Sequence, residues 1–93
     1  MDIKEMKQTL KPGMQSVVAG IVEEMKIVLT KNGDQMAFLK IADADSSLET
    51  VIFPKILTQF KDILKPDGCI AIKGRLNARN GELSMIAEAV KVL

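Results

Sequence analysis

The chain has 93 residues, enough for one small domain with a core of its own. Its formal net charge is +1, which excludes binding to nucleic acid through a global field and leaves only local charge placement. With no histidine and a lone Cys69, imidazole catalysis and an internal disulfide are excluded, and the usage fits a reducing cytoplasm.

Residues 1–13 read as a lead-in or linker. Ile3, Met6 and Leu10 fall roughly on one helical face, so a short helical turn and a flexible segment both suit them, and Pro12-Gly13 ends either. The charged start (Asp2, Lys4, Glu5, Lys7) lacks the apolar stretch of a signal peptide. No apolar run anywhere approaches the roughly eighteen residues of a membrane span. Residues 14–30 form the longest extended stretch, carried by Val17, Val18, Ile21, Val22, Ile27 and Val28. Gly20 breaks its alternation as a bulge or sharp coil does. A first strand that bends midway can pair in two directions, which is how small barrels close.

Asn32-Gly33 is the usual pair for positive φ angles and marks a turn. After it, Ala37, Leu39 and Ile41 alternate with Met36, Phe38 and Lys40. The first set is wholly aliphatic and predicts an inward face; the second carries a ring and a cation and predicts an outward one. The polar run Asp43, Ala44, Asp45, Ser46, Ser47 turns the chain. Residues 48–53 alternate again as a third strand, with Thr50 expected outward. Pro54 suits the first position of a helix. Ile56, Leu57, Phe60, Ile63 and Leu64 recur at helical spacing until Pro66 stops it. Over 69–79, Ile70, Ile72, Gly74 and Leu76 are expected inward and Ala71, Lys73, Arg75 and Asn77 outward. Asn80-Gly81 signals a hairpin before a last strand over 82–93.

The order β1-β2-β3-α-β4-β5 predicts an all-β fold with one helix. It is the order of the five-stranded Greek-key barrel of the oligonucleotide/oligosaccharide-binding (OB) fold, here over 14–93. That fold binds oligonucleotides on the face of its second and third strands, flanked by two loops, here 31–34 and 78–81. An outward ring beside an outward cation offers a face for a base and a charge for a phosphate. Phe38 is the expected stacking platform, against the alternative of a ring that only covers the sheet, and Met36 is its apolar neighbour. Lys26, Lys31, Lys40, Lys73, Arg75 and Arg79 are the expected phosphate track, against the alternative of ordinary solvated surface. Asn32 and Thr50 are candidate polar contacts that also read as a turn former and a plain β-former. Asp43, Asp45 and Glu49 are close in sequence, but Leu48 stands where a calcium loop needs glycine. No metal, no cofactor and no catalytic constellation is expected.

Several pieces carry a family resemblance by their order and spacing: Val18-Ala19-Gly20-Ile21-Val22, Thr30-Lys31-Asn32-Gly33-Asp34, Met36-Ala37-Phe38, Asp43, Val51-Ile52-Phe53-Pro54, Lys73-Gly74-Arg75 and Met85-Ile86-Ala87-Glu88. Together they resemble the OB domain in the C-terminal region of the bacterial DNA polymerase III alpha subunit. More distantly, they are similar to the anticodon-binding OB domains of class II aminoacyl-tRNA synthetases. The resemblance covers 14–93. It implies a single-stranded DNA-binding module, with RNA as the other candidate, working beside a replicative polymerase core. Its partners would then be the rest of that subunit or replisome proteins, and the chain either an excised domain or a stand-alone relative. It also implies that an aromatic on the second strand stacks on a base, a role that falls on Phe38, five residues before Asp43. Where the family's turn after Asp43 usually holds glycine, Ser46 and Ser47 stand here. A polymerase's catalytic carboxylates belong to other domains, so the chain by itself is not expected to be an enzyme. The rival expectation, favoured by near-zero charge and a single outward ring, is a protein-interaction module with no nucleic-acid role.

Overall fold

The computed structural model describes residues 3, 7–8, 11–44, 46–65, 67–79 and 81–92. Strands β1 (Gln15–Leu29), β2 (Gln35–Ala42) and β3 (Ser47–Ile52), helix α1 (Pro54–Phe60), and strands β4 (Cys69–Arg79) and β5 (Glu82–Val92) follow in the expected order. They close a barrel in the order β1-β2-β3-β5-β4, with β4 returning to β1. β3 and β5 run parallel and the other pairs antiparallel. This is the OB barrel that the element order predicts.

β1 closes the ring by bending. Its first half pairs with β4 from Gln15↔Arg75 to Ile21↔Cys69, and its second half with β2 from Ile21↔Ala42 to Leu29↔Gln35. Gly20 sits at the crossing. A Cβ there would collide with the Ala42 carbonyl oxygen and lie 3.0 Å from Ile41 Cγ2, so only a residue without one lets the strands approach. Just beyond, the Val22 N–H donates to the Gly68 carbonyl (3.0 Å) and the Asp67 N–H to the Val22 carbonyl (2.8 Å). The register with β2 slips there, between Val22 and Glu24, as at a bulge. The irregularity expected at Gly20 is thus divided between a close approach at Gly20 and a slip next to Glu23.

Period-two alternation fills the interior. Ala37, Leu39 and Ile41 of β2 are buried, as are Ile70, Ile72, Gly74 and Leu76 of β4, while Lys73, Arg75 and Asn77 are exposed. Thr50 corrects the sequence expectation. It shares the phase of Leu48 and Ile52, pairs with Leu39 and Met85, and is fully buried. Its hydroxyl has no hydrogen-bond partner among the described residues. The pleat turns all three side chains of that phase inward, so Thr50 cannot touch a ligand on the outer face.

α1 is shorter than its apolar spacing predicts. It ends at Phe60, and the Ile63 N–H donates to the Phe60 carbonyl (3.1 Å) in a tighter turn. That turn still delivers Leu64 to the core that also takes Leu57. Pro66, the expected stop, lies outside the described residues.

Ile3, in the expected lead-in, is helical and fully buried in the core. Its N–H donates to Asp43 Oδ2 (2.8 Å), and Asp43 Oδ1 accepts from the Ser46 N–H (3.0 Å). One carboxylate therefore closes the β2–β3 turn and ties Ile3 to the barrel, with Ser46 serving where a glycine is usual. Met6, Leu10 and Asp45 lie outside the described residues.

Candidate nucleic-acid interface

The loop between β1 and β2 is held by its own backbone. The Thr30 N–H donates to the Asp34 carbonyl (2.7 Å) and the Gly33 N–H to the Thr30 carbonyl (3.0 Å). The Asp34 N–H donates to Thr30 Oγ1 (3.2 Å). Gly33 takes a positive φ of 85° and Asn32 does not, so the loop is wider than the two-residue turn its Asn-Gly signals. Lys31 and Asn32 stand exposed on it. Between β4 and β5 the connection is shorter than expected. Ala78 and Arg79 belong to β4, Arg79 pairs with Glu82, and Gly81 has a φ of 80°. Asn80 lies outside the described residues.

On the outer surface the ladders align one residue from each strand into a belt. Lys26 stands beside Phe38, Phe38 beside Val51, Val51 beside Ile86, and Ile86 beside Arg75. Cross-strand neighbours have their Cβ atoms about 5 Å apart. Lys26 and Phe38 are therefore the adjacent cation and ring, with Lys26 exposed and Phe38 half-buried. Met36, half-buried, continues the same face of β2.

Lys40, the cation expected beside the ring, shares this face two residues further along β2. The ladders also give it two carboxylate neighbours, Glu24 on β1 and Glu49 on β3. Opposite-charge cross-strand pairs stabilise a sheet by up to about 1 kcal/mol each. Lys40 is thus offset locally, and its row is the acidic edge of the ring-bearing face.

Lys73 and Arg75 of β4 are not brought to Phe38. Arg75 lies three ladders away, about 14 Å around the barrel. Lys73 stands between Val17 and Ala89. Gln15, Arg75's neighbour on β1, donates from Nε2 to Glu88 Oε1 (3.1 Å), which sets a carboxylate near these cations. Lys26, Lys31, Asn32, Met36, Phe38 and Lys40 therefore share the β1–β2 hairpin, while Lys73 and Arg75 occupy a separate face.

The sequence reading does not single out Phe53 as a candidate site residue. It follows β3 directly and is 45% exposed. The alternation Glu49, Val51, Phe53 puts it on the outer side with the belt, a phase legible in the sequence.

Residues 3–93 match the family described as the OB-fold nucleic acid binding domain. The chain belongs to that family. This OB domain is 39% identical over 79 residues to DNA polymerase III subunit alpha of Saccharopolyspora erythraea, covering 84% of this chain and 7% of that subunit. It thus spans less than a tenth of the polymerase subunits it matches. Among solved structures, asparaginyl-tRNA synthetase of Pyrococcus horikoshii aligns with all of the OB domain (100%) at a TM-score of 0.74 and 19% identity, over 22% of that chain. A mitochondrial single-stranded DNA binding protein of S. cerevisiae aligns at 0.69 and 12% identity, over 89% of this chain and 97% of that one. Both likenesses establish the fold. No helix among the described residues is long and apolar enough to cross a membrane.

Proposed function

We propose that this OB domain binds single-stranded DNA, weakly and with little sequence preference, as part of a DNA polymerase III alpha subunit or as a stand-alone relative of one. The observation that carries this reading is the adjacent pair of Lys26 and Phe38 on the outer barrel face. A base stacks on the ring, and the ammonium meets the phosphate beside it. Lys31 and Asn32 extend the polar edge toward the β1–β2 loop. Stacking accepts every base, so RNA is a second substrate of the same chemistry, and only contacts to the 2′-OH would separate the two. Polymerisation belongs to the remainder of such a subunit, which together with replisome proteins supplies this domain's partners. An exposed, unpaired Cys69 suits a reducing cytoplasm.

With few rings and few cations, the dissociation constant falls on the order of 10⁻⁴ to 10⁻⁶ M. Fluorescence anisotropy of a labelled oligo-dT across a salt series tests the reading. Two phosphate contacts, from Lys26 and Lys31, give a slope of log affinity against log salt of about −1.4. A slope of zero removes the phosphate contacts and sinks the proposal.

A second reading has its own observation. On the outer side of β1's first half, Val17 is 56% and Ile21 47% exposed, with exposed Ala19 between them and exposed Cys69 beside Ile21. That uncharged strip suits docking against protein, and such docking would not respond to salt in this way.

A further inference from the structure

Two of the chain's three rings stand on one face. Phe60 packs against the core, whereas Phe38 and Phe53 lie on the outer side of the β2–β3 ladder. Ala37 pairs with Ile52 and Phe38 with Val51, so Phe53 follows at the diagonal position from Phe38, next to Met36. Diagonal neighbours of an antiparallel pair sit about 7–8 Å apart, within reach of aromatic side chains. That is a one-nucleotide step for a strand whose bases are unstacked from one another. Phe53 is also set firmly: its carbonyl accepts the Leu57 N–H (2.9 Å) and Pro54 opens α1 directly after it. On the other side of Phe38, Glu24 and Glu49 flank Lys40 and oppose a phosphate backbone.

We propose that Phe53 is a second stacking platform. Two successive bases of a single strand rest on Phe38 and Phe53, and the strand continues toward the β1–β2 loop rather than over Glu24 and Glu49. The proposal rests on the nucleic-acid reading above, and its test separates the two.

Oligo-dT binding is compared by anisotropy for the wild-type chain, Phe38→Ala, Phe53→Ala, Phe53→Leu, Phe53→Tyr and Glu49→Gln, with thermal melts to check that each is folded. Phe53→Ala and Phe53→Leu are expected to weaken binding about 5- to 100-fold, with Phe53→Tyr close to wild type, because stacking needs a ring. Glu49→Gln is expected to tighten binding at low salt and to lose that gain at high salt. If Phe38→Ala weakens binding while Phe53→Ala does not, the second platform is wrong and the nucleic-acid reading stands. If Phe53→Leu binds like Phe53→Tyr, the side chain is only apolar cover and the proposal fails. A wild-type chain that binds no oligo-dT at low salt overturns both.

Discussion

Gly20→Ala is expected to destabilise the barrel by about 3 kcal/mol, at the upper end of what overpacking usually costs. The added methyl group would meet backbone, the Ala42 carbonyl carbon and oxygen, as well as the Ile41 side chain. A side chain can change rotamer, but this carbonyl belongs to the strand that β1 pairs with from Ile21 onward. Relief therefore means separating β1 from β2 at the point where β1 leaves β4. For a domain of this size the loss corresponds to a fall in Tm on the order of 15 °C. Gly33→Ala is the useful contrast. Its Cβ meets nothing within 4 Å and only the left-handed φ is unfavourable, at about 1 kcal/mol. Thermal melts of the two variants check this; a Gly20→Ala chain that melts within a few degrees of wild type would show that barrel closure does not depend on the close approach at Gly20.

Phe38→Ala is expected to weaken oligo-dT binding about 5- to 100-fold while leaving the barrel folded. The two effects separate because Phe38 lies on the outer side of β2, between buried Ala37 and Leu39. Losing the ring forfeits its cross-strand contacts with Lys26 and Val51, roughly 1 kcal/mol. Leu39→Ala, one residue along and facing in, should cost about 2–5 kcal/mol of stability instead. Binding isotherms and melts of both variants give the comparison. Equal destabilisation by the two would make Phe38 a core residue, and the stacking role would go with it.

Much of the barrel can be read from the chain because period-two burial writes itself into residue type. The aliphatic sets of β2 and β4 face inward as their alternation predicts, and Gly20 marks the bend that lets one strand pair twice. Thr50 departs from its expected outward face because its residue type suits either face, while counting in twos from Leu48 puts it inside. The site was less legible because it depends on register. Which cation stands beside Phe38 is fixed by the width of the β1–β2 loop, because the register runs unbroken from Leu29↔Gln35 to Glu24↔Lys40, and that width is not specified by the residues of β2. Spacing along one strand gives Lys40 as the cation on the ring-bearing face, and only the ladders show that Lys26 stands directly across from Phe38 and that Glu24 and Glu49 flank Lys40. The burial of Ile3 was hidden for a similar reason: its anchor, Asp43, is forty residues away in sequence.

On the proposed function, one outer face of this barrel, around Lys26 and Phe38, holds a single strand. An NMR map of backbone amide shifts during titration with oligo-dT at low salt reads that face residue by residue. The largest shifts are expected to cluster at Lys26, Met36, Phe38, Val51, Phe53 and the β1–β2 loop, and to fade as salt is raised. Shifts that cluster at Val17, Ile21 and Cys69, or a spectrum that oligo-dT does not change at all, would contradict it.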